Sequence, residues 1–181
     1  MGDRAVIMNY VEGETEESFT KDCMQFREGK FRGNDQIGVY LHWNGSPLEV
    51  VSFLLYCRIR QIRNTNEDCY GWARFCQIVG NYIGGNLSMG IGLINELDCD
   101  NWDNGTYLIK NWNIVDRYYQ HEDEKENKCN NIWFKVTENG EKVENWEILE
   151  MLYKIDEKQP VEDQVGKKRL KQEFEDCYLP F

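Results

Sequence analysis

Residues 37–63 read IGVYLHWNGSPLEVVSFLLYCRIRQIR, and this run passes from a strand pattern to a helix pattern across one short turn. Ile37 to Trp43 has the β-branched and aromatic content of a strand. Ser46-Pro47-Leu48-Glu49 follows as a capping box: Ser46 accepts from the backbone N–H of Glu49, the Glu49 carboxylate reaches back, and proline stands at the first helical position. From there Val50, Val51, Phe53, Leu54, Leu55, Ile59 and Ile62 recur at mixed three- and four-residue spacing, which predicts a helix buried along much of one side. Arg58, Arg60 and Arg63 suit its C-terminal turns, where the helix dipole favours positive charge.

Working outward, Arg4 to Tyr10 (RAVIMNY) predicts a strand, separated from the next by a polar stretch with Gly13, Gly29 and Gly33 that has room for a wide loop or a short extra element. On the C-terminal side a helix is expected from Glu67 to about Tyr82, closed by Gly84-Gly85, with Gly71 and Gly80 blurring its limits. Strands are expected at 90–97, 106–110 and 114–119, then a hairpin over 132–142 turning at Asn139-Gly140. Trp146, Leu149, Leu152, Tyr153 and Ile155 mark a further helix, and 161–177 another, with Val165, Leu170 and Phe174 inward. Strands and helices mix without regular β-α-β alternation. The expected class is therefore α+β, a mostly antiparallel sheet of five or six strands with three or four helices, in a single domain spanning 1–181.

The chain has 181 residues and a formal net charge of −11, which argues against direct nucleic-acid binding, because Lys and Arg neutralising phosphates supply most of that affinity. The acidic excess lies in the last two thirds, with 16 acids to 10 bases over residues 121–181. Seven cysteines, Cys23, Cys57, Cys69, Cys76, Cys99, Cys129 and Cys177, are odd in number and form no Cys-x-x-Cys pair, which predicts free thiols in a reducing cytoplasm and no structural metal. No signal-peptide pattern opens the sequence and no apolar run reaches membrane-spanning length, so a cytoplasmic protein without membrane association is expected.

Few residues offer chemistry. His42 could act as a base with Cys57, Cys69 or Cys76 as nucleophile, but the favoured reading is a histidine tying the strand end to the following turn. His121 sits in a solvated charged run. Asp98, Asp100 and Asp103 lie with Asn101 and Asn104 in one short segment, yet the spacing departs from an EF-hand loop: Trp102 holds the fifth position and Ile109 the twelfth. An acidic turn between strands is the expectation, with no metal and no cofactor. Gly84 to Gly92 is glycine-rich but has neither P-loop nor dinucleotide spacing. Trp102, Trp112 and Trp146 stand in polar contexts and are the tryptophans expected at the surface, where aromatics anchor interfaces. Glu138, Glu141, Glu144, Glu147 and Glu150 recur every three residues, which predicts the start and exposed flank of a helix.

Arg4-Ala5-Val6-Ile7 together with the turn His42-Trp43-Asn44-Gly45-Ser46-Pro47 resembles a group of small proteins common in bacteriophages and mobile elements of gut bacteria. Those carry an Arg-x-x-Ile strand and a His-Trp-Asp-Gly-Tyr-Pro-like turn; here Asn44 and Ser46 replace the usual Asp and Tyr. In size and acidity the whole chain also resembles anti-CRISPR inhibitors of type II nucleases. That resemblance implies a non-enzymatic inhibitor acting in the host bacterial cytoplasm, which binds an RNA-guided nuclease or its nucleoprotein complex through an acidic and aromatic surface and blocks DNA engagement. The surface expected to do so comprises Asp98, Asp100, Trp102, Asp103, Glu122, Asp123, Glu124 and Glu126. Two alternatives stand beside it: a protein that sequesters a defence signalling nucleotide with the Gly84 to Gly92 loop and Trp43 or Tyr82, and an enzyme centred on His42. The oligomeric state is left open.

Overall fold

The computed structural model describes residues 2–10, 36–65, 69–85, 88–99, 101–118, 128–130 and 143–177. They form an α+β protein: a six-stranded mixed sheet and four α-helices, which cluster into two compact units. One unit comprises 1–46, 87–110 and 114–132, the other 47–86, 111–113 and 133–181.

The first unit is the sheet. Its strands are β1 (Ala5–Asn9), β2 (Ile37–Leu41), β3 (Met89–Leu93), β4 (Thr106–Lys110), β5 (Asn113–Tyr118) and β6 (Lys128–Asn130), in spatial order β3-β2-β1-β4-β5-β6. β1 pairs antiparallel with β2 and parallel with β4; β2 with β3 and β5 with β6 are antiparallel. Ala5, Val6, Ile7 and Met8 are all at zero exposure. A central strand covered on both faces needs apolar residues at every position rather than every second one, which is why this segment lacks polar alternation. On one face Val6 and Met8 join Ile94, Cys99, Leu108 and Tyr118 in a core, with Tyr10, Tyr40 and Leu97 packed against it.

Two expectations about strands are corrected here. The strand over 90–97 ends at Leu93, and Ile94–Glu96 turns into a 3-10 segment whose first amide donates to Gln36 O at 2.8 Å. β6 was not anticipated, and the hairpin expected over 132–142 lies outside the described residues. The polar stretch over 11–35 also lies outside them.

The second unit holds α1 (Pro47–Ile59), α2 (Cys69–Ile83), α3 (Asn145–Glu157) and α4 (Lys167–Cys177). Proline opens α1 as the sequence predicts, and α1 is buried along most of its circumference, packing chiefly on α3. α2 turns Trp72, Phe75, Ile78 and Val79 inward. Gly84 and Gly85 end it at φ +74° and +86°, a backbone that favours glycine. Gly71, an apparent weak point within α2, is required: a Cβ there would stand 2.5 Å from Arg63 O and 2.9 Å from Thr65 N.

The expected helix over 161–177 is broken. Val161–Asp163 forms a 3-10 turn, Gly166 adopts φ +87°, and α4 begins only at Lys167, with Leu170 and Phe174 buried. The cause is Asp156, buried in α3, whose carboxylate accepts the backbone N–H groups of Val165 (2.7 Å) and Gly166 (2.9 Å) and the Tyr56 hydroxyl (2.6 Å). Those amides serve the carboxylate instead of a helix ladder.

Trp112, expected at the surface, is 3 % exposed. It follows Asn111 in the two-residue connection from β4 to β5, both at positive φ (+53° and +59°), the backbone of a type I′ turn. Within the helical unit its ring stacks on Phe75 at 5.8 Å and its indole N–H donates to Ile62 O at 2.9 Å. The polar neighbours in sequence reflect the turn; the indole is buried with its one donor satisfied.

Candidate interaction surface

In the acidic segment, residues 101–105 form a turn organised by an amide. Asn101, fully buried, accepts at Oδ1 from the backbone N–H groups of Asp103 (3.2 Å), Asn104 (3.2 Å) and Gly105 (2.9 Å), while its Nδ2 donates to Asp98 O and Gly105 O. Thr106 Oγ1 donates to Cys99 O. These bonds tie the backbone of 101–105, which holds its outward residue at little entropic cost on binding. That residue is Trp102, at φ +60° and 52 % exposed.

The carboxylates of this loop are partly committed. Arg4 Nε donates to Asp103 Oδ2 at 2.6 Å and Arg4 N to the same oxygen at 3.1 Å, with Arg4 Nη1 3.7 Å from Asp98 Oδ2. Burial pushes the Asp103 carboxyl up, but the hydrogen bonds and positive charge of Arg4 outweigh it and hold the group below the ordinary carboxylate range. Asp98 keeps a 47 % exposed side chain. The structure thus brings Asp98, Trp102 and Asp103 together; Asp100, Glu122, Asp123, Glu124 and Glu126 lie outside the described residues. Among the described residues no three His, Cys, Asp or Glu side chains gather as a metal site.

The same loop joins the two motif segments. Asp3 Oδ1 accepts from Asn104 Nδ2 (2.6 Å), its Oδ2 from Ser46 N (3.2 Å), and its carbonyl from Gly45 N (2.9 Å). Gly45 O in turn accepts from the Tyr107 hydroxyl. A Cβ on Gly45 would lie 2.6 Å from Asp3 O and 2.7 Å from Ala5 Cβ, so only glycine fits this turn. Arg117, 2 % exposed, donates from Nε to Asn104 O at 2.8 Å, with its guanidinium over the Tyr107 ring. Asp3, Asn101, Asn104 and Arg117 are the organising residues the sequence reading missed. The run Asn101-Trp102-Asp103-Asn104-Gly105 signalled a turn but nothing of its partners about a hundred positions away.

His42 is exposed, its Nδ1 3.2 Å from the Tyr40 hydroxyl and its ring edge-on to Trp43 at 5.2 Å. Its backbone N–H donates to Ser88 O. Burial pushes the Cys76 thiol up to about 11 and the Cys57 thiol higher still, so neither supplies a thiolate at neutral pH.

No protein-family model, no curated protein and no solved structure matches this chain. Its reading rests on its own side chains.

In the helical unit, Trp146 is 66 % exposed on α3, one turn before exposed Glu150. Glu144 and Glu147 build the helix start, Glu147 Oε2 accepting the Glu144 N–H at 3.0 Å; Glu138 and Glu141 lie outside the described residues. A cavity of about 150 Å³ is lined by Arg60, Arg74, Gln77 and Gln159 among others, with Arg60 paired to Asp163 at 2.9 Å. Gly90 and Gly92 belong to β3 rather than to a phosphate-cradling loop, and Tyr82 packs edge-on against Phe53. No helix among the described residues is long and apolar enough to cross a membrane.

Proposed function

We propose that this chain is a phage-type inhibitor of a bacterial defence nuclease, a type II CRISPR effector, acting in the host cytoplasm by binding rather than by catalysis. The observation that carries this reading is Trp102, presented outward by a loop whose backbone is tied down and whose flank bears the half-exposed Asp98 carboxylate. Leaving a large aromatic in water forgoes about 1.5–3 kcal/mol of burial, and rigidly held aromatics anchor protein interfaces. Carboxylates beside such an anchor complement the arginine- and lysine-lined channels in which RNA-guided nucleases hold nucleic acid.

The test is a pull-down of the purified chain against a type II nuclease, with and without guide RNA, at low and moderate salt. Salt-sensitive capture that blocks target DNA, lost in the Trp102→Ala and Asp98→Asn double variant, is the expected result. Capture that is indifferent to both substitutions removes this surface from the proposal, and no capture under any condition removes the function.

A further inference from the structure

Among the described residues β3 is the outermost strand of the sheet at one side, and its sequence, Met89-Gly90-Ile91-Gly92-Leu93, alternates large apolar residues with glycine in the same order from either end. The pairing with β2 decides which of its groups face outward. His42 N donates to Ser88 O at 2.7 Å and Ile94 N to Gln36 O at 2.8 Å, so residues 88, 90, 92 and 94 turn their main-chain groups toward β2. By the alternation of an antiparallel ladder, Met89, Ile91 and Leu93 turn theirs away from it. Their side chains share a face with Ile37, Val39 and Leu41, and there Ile91 is 59 % and Ile37 44 % exposed. Lysines, prolines and bulges, the usual protections of an open edge, are missing from this strand.

We infer that β3 pairs antiparallel with β3 of a second copy, about a two-fold axis at Ile91. In that register Ile91 faces Ile91, Met89 faces Leu93, and glycine faces glycine, with about six main-chain hydrogen bonds from the three outward-facing pairs. The order of large residues and glycines, the same from either end, selects a second copy as the occupant, and charge confines the contact to this edge. Two chains of −11 repel wherever their acidic surfaces meet, and Met89–Leu93 and the exposed Ile37 beside it carry no charge. On the opposite face the flanking groups are complementary: Glu96 Oε2 lies 3.6 Å from where a Gly92 Cβ would stand, and Tyr40 Cβ lies 4.0 Å from the corresponding point on Gly90. Because Gly92 of one copy faces Gly90 of the other, each Glu96 carboxylate approaches the Tyr40–His42 pair of its mate. A single five-residue strand, roughly 17 Å long, buries far less than the roughly 1,600 Å² of a standard interface, so the dimer is weak and concentration-dependent.

Sedimentation velocity of the full chain from low micromolar to near-millimolar concentration tests this, together with residue-resolved amide exchange at the two extremes. The expected mass rises toward twice the monomer, and the Ile91 amide gains protection with concentration while Gly90 and Gly92, bonded to β2, are protected throughout. Ile91→Lys places like charges directly opposite and weakens association by about tenfold or more; Trp146→Ala leaves it unchanged. A monomer at every concentration overturns the inference, as does a dimer that survives Ile91→Lys or leaves Ile91 exchange independent of concentration. Should Ile91→Lys fail to fold, the exchange data on the unaltered chain decide alone.

Discussion

The Tyr56 hydroxyl donates a 2.6 Å hydrogen bond to Asp156 Oδ1, joining α1 to α3 across a hundred positions of sequence inside the helical unit. The same carboxylate holds Val165 and Gly166, so one buried acid fixes both the packing of two helices and the point at which a third begins. Tyr56→Phe removes one donor from a buried charge and is expected to cost about 1.5–3 kcal/mol. Asp156→Ala costs more, because it strands the hydroxyl and both amides. Denaturant titration gives the magnitudes, and amide exchange in α4 should rise selectively in Asp156→Ala.

Alkali reports on the same pair. Burial first, and then the hydrogen bond to Asp156, push the Tyr56 phenol far above its ordinary value. In the unfolded chain this tyrosine ionises near pH 10, while in the folded chain it keeps its proton. The unfolded state therefore sheds protons first, and the stability contributed by Tyr56 is whole below about pH 10 and lost as pH rises beyond it. Tyr56→Phe should flatten that alkaline decline, measured as unfolding midpoint against pH.

The opposite sign holds at Asp103. Its carboxyl is depressed on balance, Arg4 overcoming the effect of burial, so its contribution is present above the ordinary carboxylate range and lost as pH falls through the lowered value. Asp103→Asn should shrink the acid-side loss of stability while lowering stability at neutral pH. An acid limb of unchanged slope in this variant would show that Arg4 does not discriminate between the two protonation states.

Gly71→Ala is expected to destabilise by about 1–3 kcal/mol despite alanine's higher helix propensity. The added Cβ meets backbone atoms of Arg63, Asn64 and Thr65 rather than a movable side chain. Thermal unfolding of this variant checks it; a stabilised protein would mean that the 63–65 turn yields easily.

Thiol reactivity should separate Cys69 from Cys57, Cys76 and Cys99. Cys69 is exposed, whereas Cys57, Cys76 and Cys99 are buried, the first two with raised pKa values. Alkylation at neutral pH followed by peptide mapping should label Cys69 well before those three. Labelling of Cys57 at a comparable rate would reveal frequent opening of α1.

Much of the fold was legible because periodicity is local. Pro47 opening α1, the span of β4 and the glycine stop at Gly84-Gly85 all follow from spacing or backbone preference within one turn or strand. The same locality explains the errors. Trp112 sits among polar residues because they make its turn, but stacking on Phe75 buries it. The apolar positions Val165, Leu170 and Phe174 suggest one helix over 161–177, yet Asp156 takes the amides of Val165 and Gly166 that such a helix would use.

At the candidate surface, the sequence by itself determined which residue types gather in the 98–105 loop and that Trp102 stands in a polar context. Only the tertiary structure decided that Arg4 pairs with Asp103, that Asp3 and Asn104 clasp the Gly45 turn, and that Ile91 lies on the outermost of the described strands. The reason is physical: composition and periodicity are properties of neighbours in the chain, whereas charge neutralisation and strand order arise between segments about a hundred residues apart, whose meeting is set by the packing of the whole sheet.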